Sequence, residues 1–207
     1  MVKVKICGIT ESKDALKAHE LGADFVGFIF FTNSPRKVKP EEARLIIEGL
    51  PKDLLKVGLF LGQDAGTVRA IAERCRLDFL QLHGDESPEY CRRLGKDFNI
   101  IKSFKIKNFC NVSDINAYED AAHYYLFDTY VEGMPGGTGK TFNWDILKYR
   151  PFEKPIFLAG GLTPKNVEEA IRKAAPYAVD VASGVEKSPG KKDYGLLKEF
   201  IDNAKKA

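Results

Sequence analysis

No stretch of this chain approaches the roughly 18 consecutive apolar residues that a membrane helix needs. The opening MVKVKICGIT alternates as a strand does and lacks the long apolar run and small-residue cleavage site of a secretory signal. The four cysteines, Cys7, Cys75, Cys91 and Cys110, form no CxxC pair. A disulfide framework or a cysteine-rich metal site is therefore not expected, and reduced thiols in a cytoplasmic protein are. Histidine is scarce: His19, His83 and His123 show no HxxxH spacing, and no metal site is expected. Strong charge of one sign is also missing. The formal net charge is +3, with Lys and Arg spread among Asp and Glu, so no basic face for nucleic acid is expected. A weak attraction for small anions is the most this balance implies.

What remains is a chain of 207 residues, 44% apolar and 29% charged, long enough for one domain with a sizeable core. Short apolar runs alternate with longer amphipathic ones. Strands are expected near 3–7, 24–30, 55–61, 78–82, 99–104, 124–128, 155–159 and 178–182. Helical patterns lie near 12–21, 40–49, 64–75, 87–95, 112–120, 142–148, 164–174 and 192–204. Asp64, Ser87-Pro88 and Thr163-Pro164 offer helix starts, and Gly22 and Gly49 offer stops. Eight alternations of strand and helix imply parallel pairing. They favour closure over an open doubly wound sheet: an α/β protein, a single-domain (β/α)8 TIM barrel spanning 1–207, near the short limit of that fold.

In such a barrel the chemistry gathers at the C-terminal ends of the strands. Those ends carry Cys7-Gly8, Ser34-Pro35-Arg36, Gln81-Leu82-His83-Gly84, Asp128-Thr129, Ala159-Gly160-Gly161 and Ala182-Ser183-Gly184. Gly160, Gly161, Ser183 and Gly184 follow strands seven and eight, the usual phosphate site of the fold, where glycine lets backbone N–H groups approach an anion. Tight turns alone would also account for these glycines. The segment Pro135-Gly136-Gly137-Thr138-Gly139-Lys140-Thr141 resembles a nucleotide P-loop, but Met134 stands where the first glycine belongs. A lid closing over a phosphosugar suits it better. Cys7 and Asp128 would flank a sugar whose phosphate lies at strands seven and eight, one as base and one as acid. A buried apolar thiol and a loop-capping carboxylate is the plainer alternative. A nearby cation or helix N-terminus would lower the thiol pKa. Arg36 suits a carboxylate in bidentate fashion, or a surface ion pair. His83 lines the pocket or packs against backbone.

The motifs KICGIT (5–10), FVGFIF…SPRKV (25–38), LQLHGDE (80–86), LFDT (126–129), GGTGKTFNW (136–144), FLAGGLTPKNV (157–167) and VDVASGVEKSPGKKD (179–193) resemble, in order and over essentially the whole chain, the phosphoribosylanthranilate isomerase family. The resemblance implies an Amadori rearrangement of N-(5-phosphoribosyl)anthranilate to 1-(2-carboxyphenylamino)-1-deoxyribulose 5-phosphate, on the route to tryptophan. It implies Cys7 as general base, Asp128 as general acid and Arg36 on the anthranilate carboxylate. It further implies Gln81, His83 and Asp180 as substrate contacts, with phosphate held by Gly137, Thr138, Gly139, Gly160, Gly161, Ser183 and Gly184. No cofactor is implied, because the substrate nitrogen supplies the electrons. The small-molecule substrate is the implied partner, of a monomer or homodimer. Indole-glycerol-phosphate synthase would need a strand-end lysine and glutamate, and Lys5 inside strand one suits that poorly. A pentose-phosphate epimerase would need metal ligands. A non-catalytic phosphosugar binder has no use for Cys7 and Asp128.

Overall fold

A computed structural model describes residues 1–31, 34–106, 113–129, 144, 147 and 152–207. Eight parallel strands close on themselves in chain order: β1 Lys3–Cys7, β2 Phe25–Ile29, β3 Leu55–Phe60, β4 Phe79–Leu82, β5 Asn99–Ile106, β6 Tyr124–Thr129, β7 Ile156–Leu158 and β8 Ala178–Val181, with β8 pairing back onto β1. Among the described residues six α-helices surround them: α1 Ser12–Glu20, α2 Pro40–Glu48, α3 Ala65–Cys75, α4 Pro88–Gly95, α5 Val167–Ala174 and α6 Tyr194–Lys206. The expected caps hold at two starts. Asp64 accepts the Thr67 N–H at 3.0 Å and Ser87 Oγ accepts that of Tyr90 at 3.2 Å.

Four expectations are corrected. The segment near 112–120 is a 3-10 turn, Ser113–Tyr118, because Ser, Asp and Asn in so short a run favour a tighter bend over an α-helix. The helix expected from 164 starts at Val167. Asn166 Oδ1 accepts the Thr163 N–H at 2.8 Å and Asn166 Nδ2 donates to Gly161 O at 3.0 Å, a closed turn that takes the place of a Thr163 cap. The helix expected from 192 starts at Tyr194, capped by Asp193. A hairpin absent from the sequence reading, β9 Glu186–Ser188 and β10 Lys191–Lys192, precedes it. Of the helix expected over 142–148, only Trp144 and Leu147 are described, both buried.

Strand alternation divides the apolar residues between two cores. Val4, Ile6, Leu80, Leu82, Tyr125, Phe127, Val179 and Val181 point outward into the layer beneath the helices. Their neighbours Cys7, Phe79, Leu126 and Ala178 point into the barrel. The same alternation turns Lys5, Gln81, Asp128 and Asp180 inward, so the barrel interior carries the polar residues. Its N-terminal floor is closed by four rings packed edge to face: Phe25 on Phe79 at 5.5 Å, Phe25 on Phe157 at 5.4 Å, Phe79 on Tyr124 at 5.6 Å and Tyr124 on Phe157 at 5.7 Å.

Candidate active site

Above that apolar floor lies one polar layer, centred on Lys5. Its side chain is fully buried, and its ammonium donates to Asp180 Oδ2 and to Gln81 Oε1, each at 2.8 Å. Register explains the first contact, since Lys5 and Asp180 are direct partners of adjacent strands. The second contact fixes the Gln81 amide. With Oε1 turned to Lys5, Nε2 faces His83 Nδ1 at 3.1 Å, which then accepts. The remaining ring nitrogen, Nε2, carries the proton and stands 3.6 Å from Asp128 Oδ2. One buried cation thus orients Gln81 and, through it, a His83 ring that faces the candidate acid.

The mouth of the barrel above this layer is a cavity of about 850 Å³, its open entrance included. Cys7, Arg36, Gln81, His83, Asp128 and Asp180 all line it, as do Gly160, Gly161, Ser183 and Gly184. Every described residue expected at the site therefore meets the others there. Gly137, Thr138 and Gly139 lie outside the described residues. Among the described residues no cluster of His, Cys, Asp and Glu is arranged to hold a metal ion.

Cys7 is buried beside Gly27, its register partner, where an added Cβ would stand only 3.0 Å from Sγ. Cations do stand near the thiol, but they do not lower its pKa. Burial pushes it up, helped by the Asp180 carboxylate, and outweighs Lys5 and Lys192. The thiol form therefore dominates at neutral pH. Asp180 Oδ1 is buried and has no hydrogen-bond partner among the described residues, although its carboxylate borders the cavity.

Arg36 crosses Gly8, whose φ of +74° and lack of a Cβ are both required: an added Cβ would lie 2.6 Å from Arg36 Cδ. Its guanidinium grips Glu186 with Nε at 2.9 and 3.0 Å and Nη2 at 2.7 Å. Glu186 also accepts from Lys192 Nζ at 2.9 Å, and that ammonium caps the Cys7 carbonyl at 2.6 Å. Burial works to raise the Glu186 carboxyl, but its bonds to Arg36 and Lys192 win and hold it below the usual value. Burial also lowers the Lys192 ammonium, against the pull of Glu186. The hairpin carrying both residues is fastened by Thr10 Oγ1 donating to Gly190 O at 2.6 Å and Lys192 N–H donating to Asp14 Oδ2 at 3.0 Å.

Sequence reading missed Lys5, Glu186 and Lys192 as parts of this site. Pro189-Gly190 between two short polar runs was a hairpin signal. Nothing local marks a lysine in an apolar strand as the centre of a polar layer. Behind Asp128, Gly160 at φ +86° approaches so closely that an added Cβ would meet Thr129 N and come within 2.7 Å of Asp128 Oδ1. Gly161 follows at φ +67°, and the 3-10 turn Ser183–Val185 packs its Gly184 against Leu162 O.

A closed barrel with a thiol, two carboxylates and a histidine converging above an apolar floor, beside glycine turns at β7 and β8, defines a β/α-barrel enzyme of the phosphosugar type. Residues 4–203 match the sequence profile of N-(5'-phosphoribosyl)anthranilate (PRA) isomerase, and the chain belongs to that family. An N-(5'-phosphoribosyl)anthranilate isomerase of Geobacter sulfurreducens is 51% identical over 205 residues, 99% of each chain. The crystal structure of phosphoribosyl anthranilate isomerase from Thermotoga maritima superposes over all of both chains with a TM-score of 0.94 at 42% identity. A phosphoribosyl anthranilate isomerase in complex with reduced 1-(o-carboxyphenylamino)-1-deoxyribulose 5-phosphate matches at 0.91 and 40%, again over both whole chains.

Proposed function

We propose that this chain, acting as one catalytic barrel in the cytoplasm, converts N-(5'-phosphoribosyl)anthranilate to 1-(2-carboxyphenylamino)-1-deoxyribulose 5-phosphate, the family's step towards tryptophan. The observation that carries the reading is the convergence of Cys7 and Asp128 on one cavity beside the glycine turns of β7 and β8. The substrate phosphate is held by backbone N–H groups of Gly160, Gly161, Ser183 and Gly184, and Gly137, Thr138 and Gly139 are further phosphate contacts in this reading. Arg36 keeps Nη1 outside its grip on Glu186 and offers that edge to the anthranilate carboxylate. Asp180 Oδ1 accepts from a substrate hydroxyl, which gives the unpartnered oxygen its bond.

Asp128 gives its proton to the furanose oxygen as the C1–O bond breaks, and the anilino nitrogen lone pair moves in to form an iminium. His83, held by Gln81, stands 3.6 Å from that carboxyl. The Cys7 thiolate then removes the C2 proton. The C–H electrons form the C1–C2 double bond, and the iminium π electrons return to nitrogen. The resulting enolamine tautomerises to the ketone. Each proton-transfer group contributes roughly 10²–10⁴-fold.

Cys7→Ala and Asp128→Ala are each expected to abolish turnover while leaving the fold and ligand binding intact, read by the decay of anthranilate-adduct fluorescence and by circular dichroism. Near wild-type kcat in Cys7→Ala removes the base assignment.

A further inference from the structure

Lys5 lies two residues before Cys7 on the same inward face of β1, fully buried and one layer beneath the cavity. Its chemistry is not that of a solvated lysine. Burial works against its charge, but Asp180 and Cys7 hold its pKa above the ordinary lysine value, so it is an ammonium throughout the neutral range. A permanent cation in the barrel interior costs solvation energy that packing alone would never require. An apolar residue would fill the same space beside the ring floor.

We propose that Lys5 is a positioning residue for the isomerisation, the fixed cation against which the Cys7 thiolate forms, anchored for that purpose by Asp180 and Gln81. The inference rests on the assignment of Cys7 as the base. Thiolate formation adds a negative charge to a pocket that already holds the Asp180 carboxylate. Every neighbouring element contributes a group to the balance. β1 supplies Lys5, β8 supplies Asp180, the hairpin supplies Lys192 at the Cys7 carbonyl, and the segment after β2 supplies Arg36. β4 brings Gln81 and His83 and β6 brings Asp128 to the same cavity, while β2 brings Gly27 against the thiol. Lys192 and Arg36 are both engaged by Glu186, and Lys192 meets Cys7 at its carbonyl, whereas Lys5 shares the inward face of β1 with the thiol, two residues away. Lys5 is therefore the cation whose loss the thiolate would feel most.

The test is a titration of the Cys7 thiolate by its ultraviolet absorbance, as the difference between each protein and its Cys7→Ser counterpart. Lys5→Met, similar in length and uncharged, is expected to form at least tenfold less thiolate than wild type at any pH below the midpoint. The ascending, acid-side limb of kcat/KM should move to higher pH by the same interval, with activity recovering at higher pH. Because Lys5→Met strands the Asp180 carboxylate and can fail to fold, the same comparison is made between Asp180→Asn and Lys5→Met/Asp180→Asn, where no carboxylate is left stranded. The double variant should again form at least tenfold less thiolate than Asp180→Asn. An unmoved thiol midpoint in either pair overturns the role of Lys5. Failure of the base assignment looks different: Cys7→Ala stays active while Lys5 still moves the thiol.

Discussion

The pair most exposed to test is Arg36–Glu186, because its geometry fixes both a stability and an affinity consequence. Glu186→Gln keeps the shape of the side chain and one carbonyl acceptor but removes the charge that serves the partly buried Arg36 and the buried Lys192. Removing one partner of a buried ion pair costs roughly 3–5 kcal/mol, and the retained acceptor puts this case near 3 kcal/mol. For a chain of this length each kcal/mol moves Tm by about 2–4 °C, so a drop of roughly 6–12 °C is expected at pH 7. The acid dependence has a definite sign. The folded Glu186 carboxyl titrates below its ordinary 4.5, so the unfolded chain binds more protons between the two values. The stabilisation is complete above 4.5 and is lost as pH falls through the folded value. Wild type and Glu186→Gln should therefore differ fully at pH 7 and converge on acidification, in paired thermal unfolding scans. Freed from Glu186, Arg36 also loses its fixed orientation, and KM should rise by a larger factor than kcat falls. A Tm within about 1 °C of wild type at pH 7, or a gap that widens in acid, refutes the reasoning.

Arg36→Ala should raise KM by removing the carboxylate anchor while kcat falls less; an unchanged KM in steady-state fluorescence assays would mean that Arg36 points elsewhere in the complex. Gly160→Ala forces a side chain into left-handed backbone, worth roughly 1–2 kcal/mol, and drives Cβ onto Thr129 and Asp128. Tm should fall by at least about 2 °C and kcat by about tenfold or more; wild-type values for both would mean that β6 and β7 yield without moving the acid.

The eight strands were legible because each is a short run rich in β-branched or aromatic residues, and burial on both faces imposes that composition whatever the partners. Gly160, Gly161, Ser183 and Gly184 could be read as a cradle because strand ends in this architecture share one rim. Cys7 and Asp128 could be named candidates, but only likeness to a family lifted them above a buried thiol and a capping carboxylate.

The sequence by itself determined the order of the eight barrel strands and favoured their closure, which follow from local periodicity and the number of repeats, and it named the rim residues that end those strands. Tertiary structure alone decided that Lys5 pairs with Asp180 and Gln81, 175 and 76 residues away, and that Glu186 occupies Arg36. It also decided that burial outweighs the cations at Cys7. Charge and solvation depend on distance in space, and a barrel brings together side chains that no spacing along the chain connects.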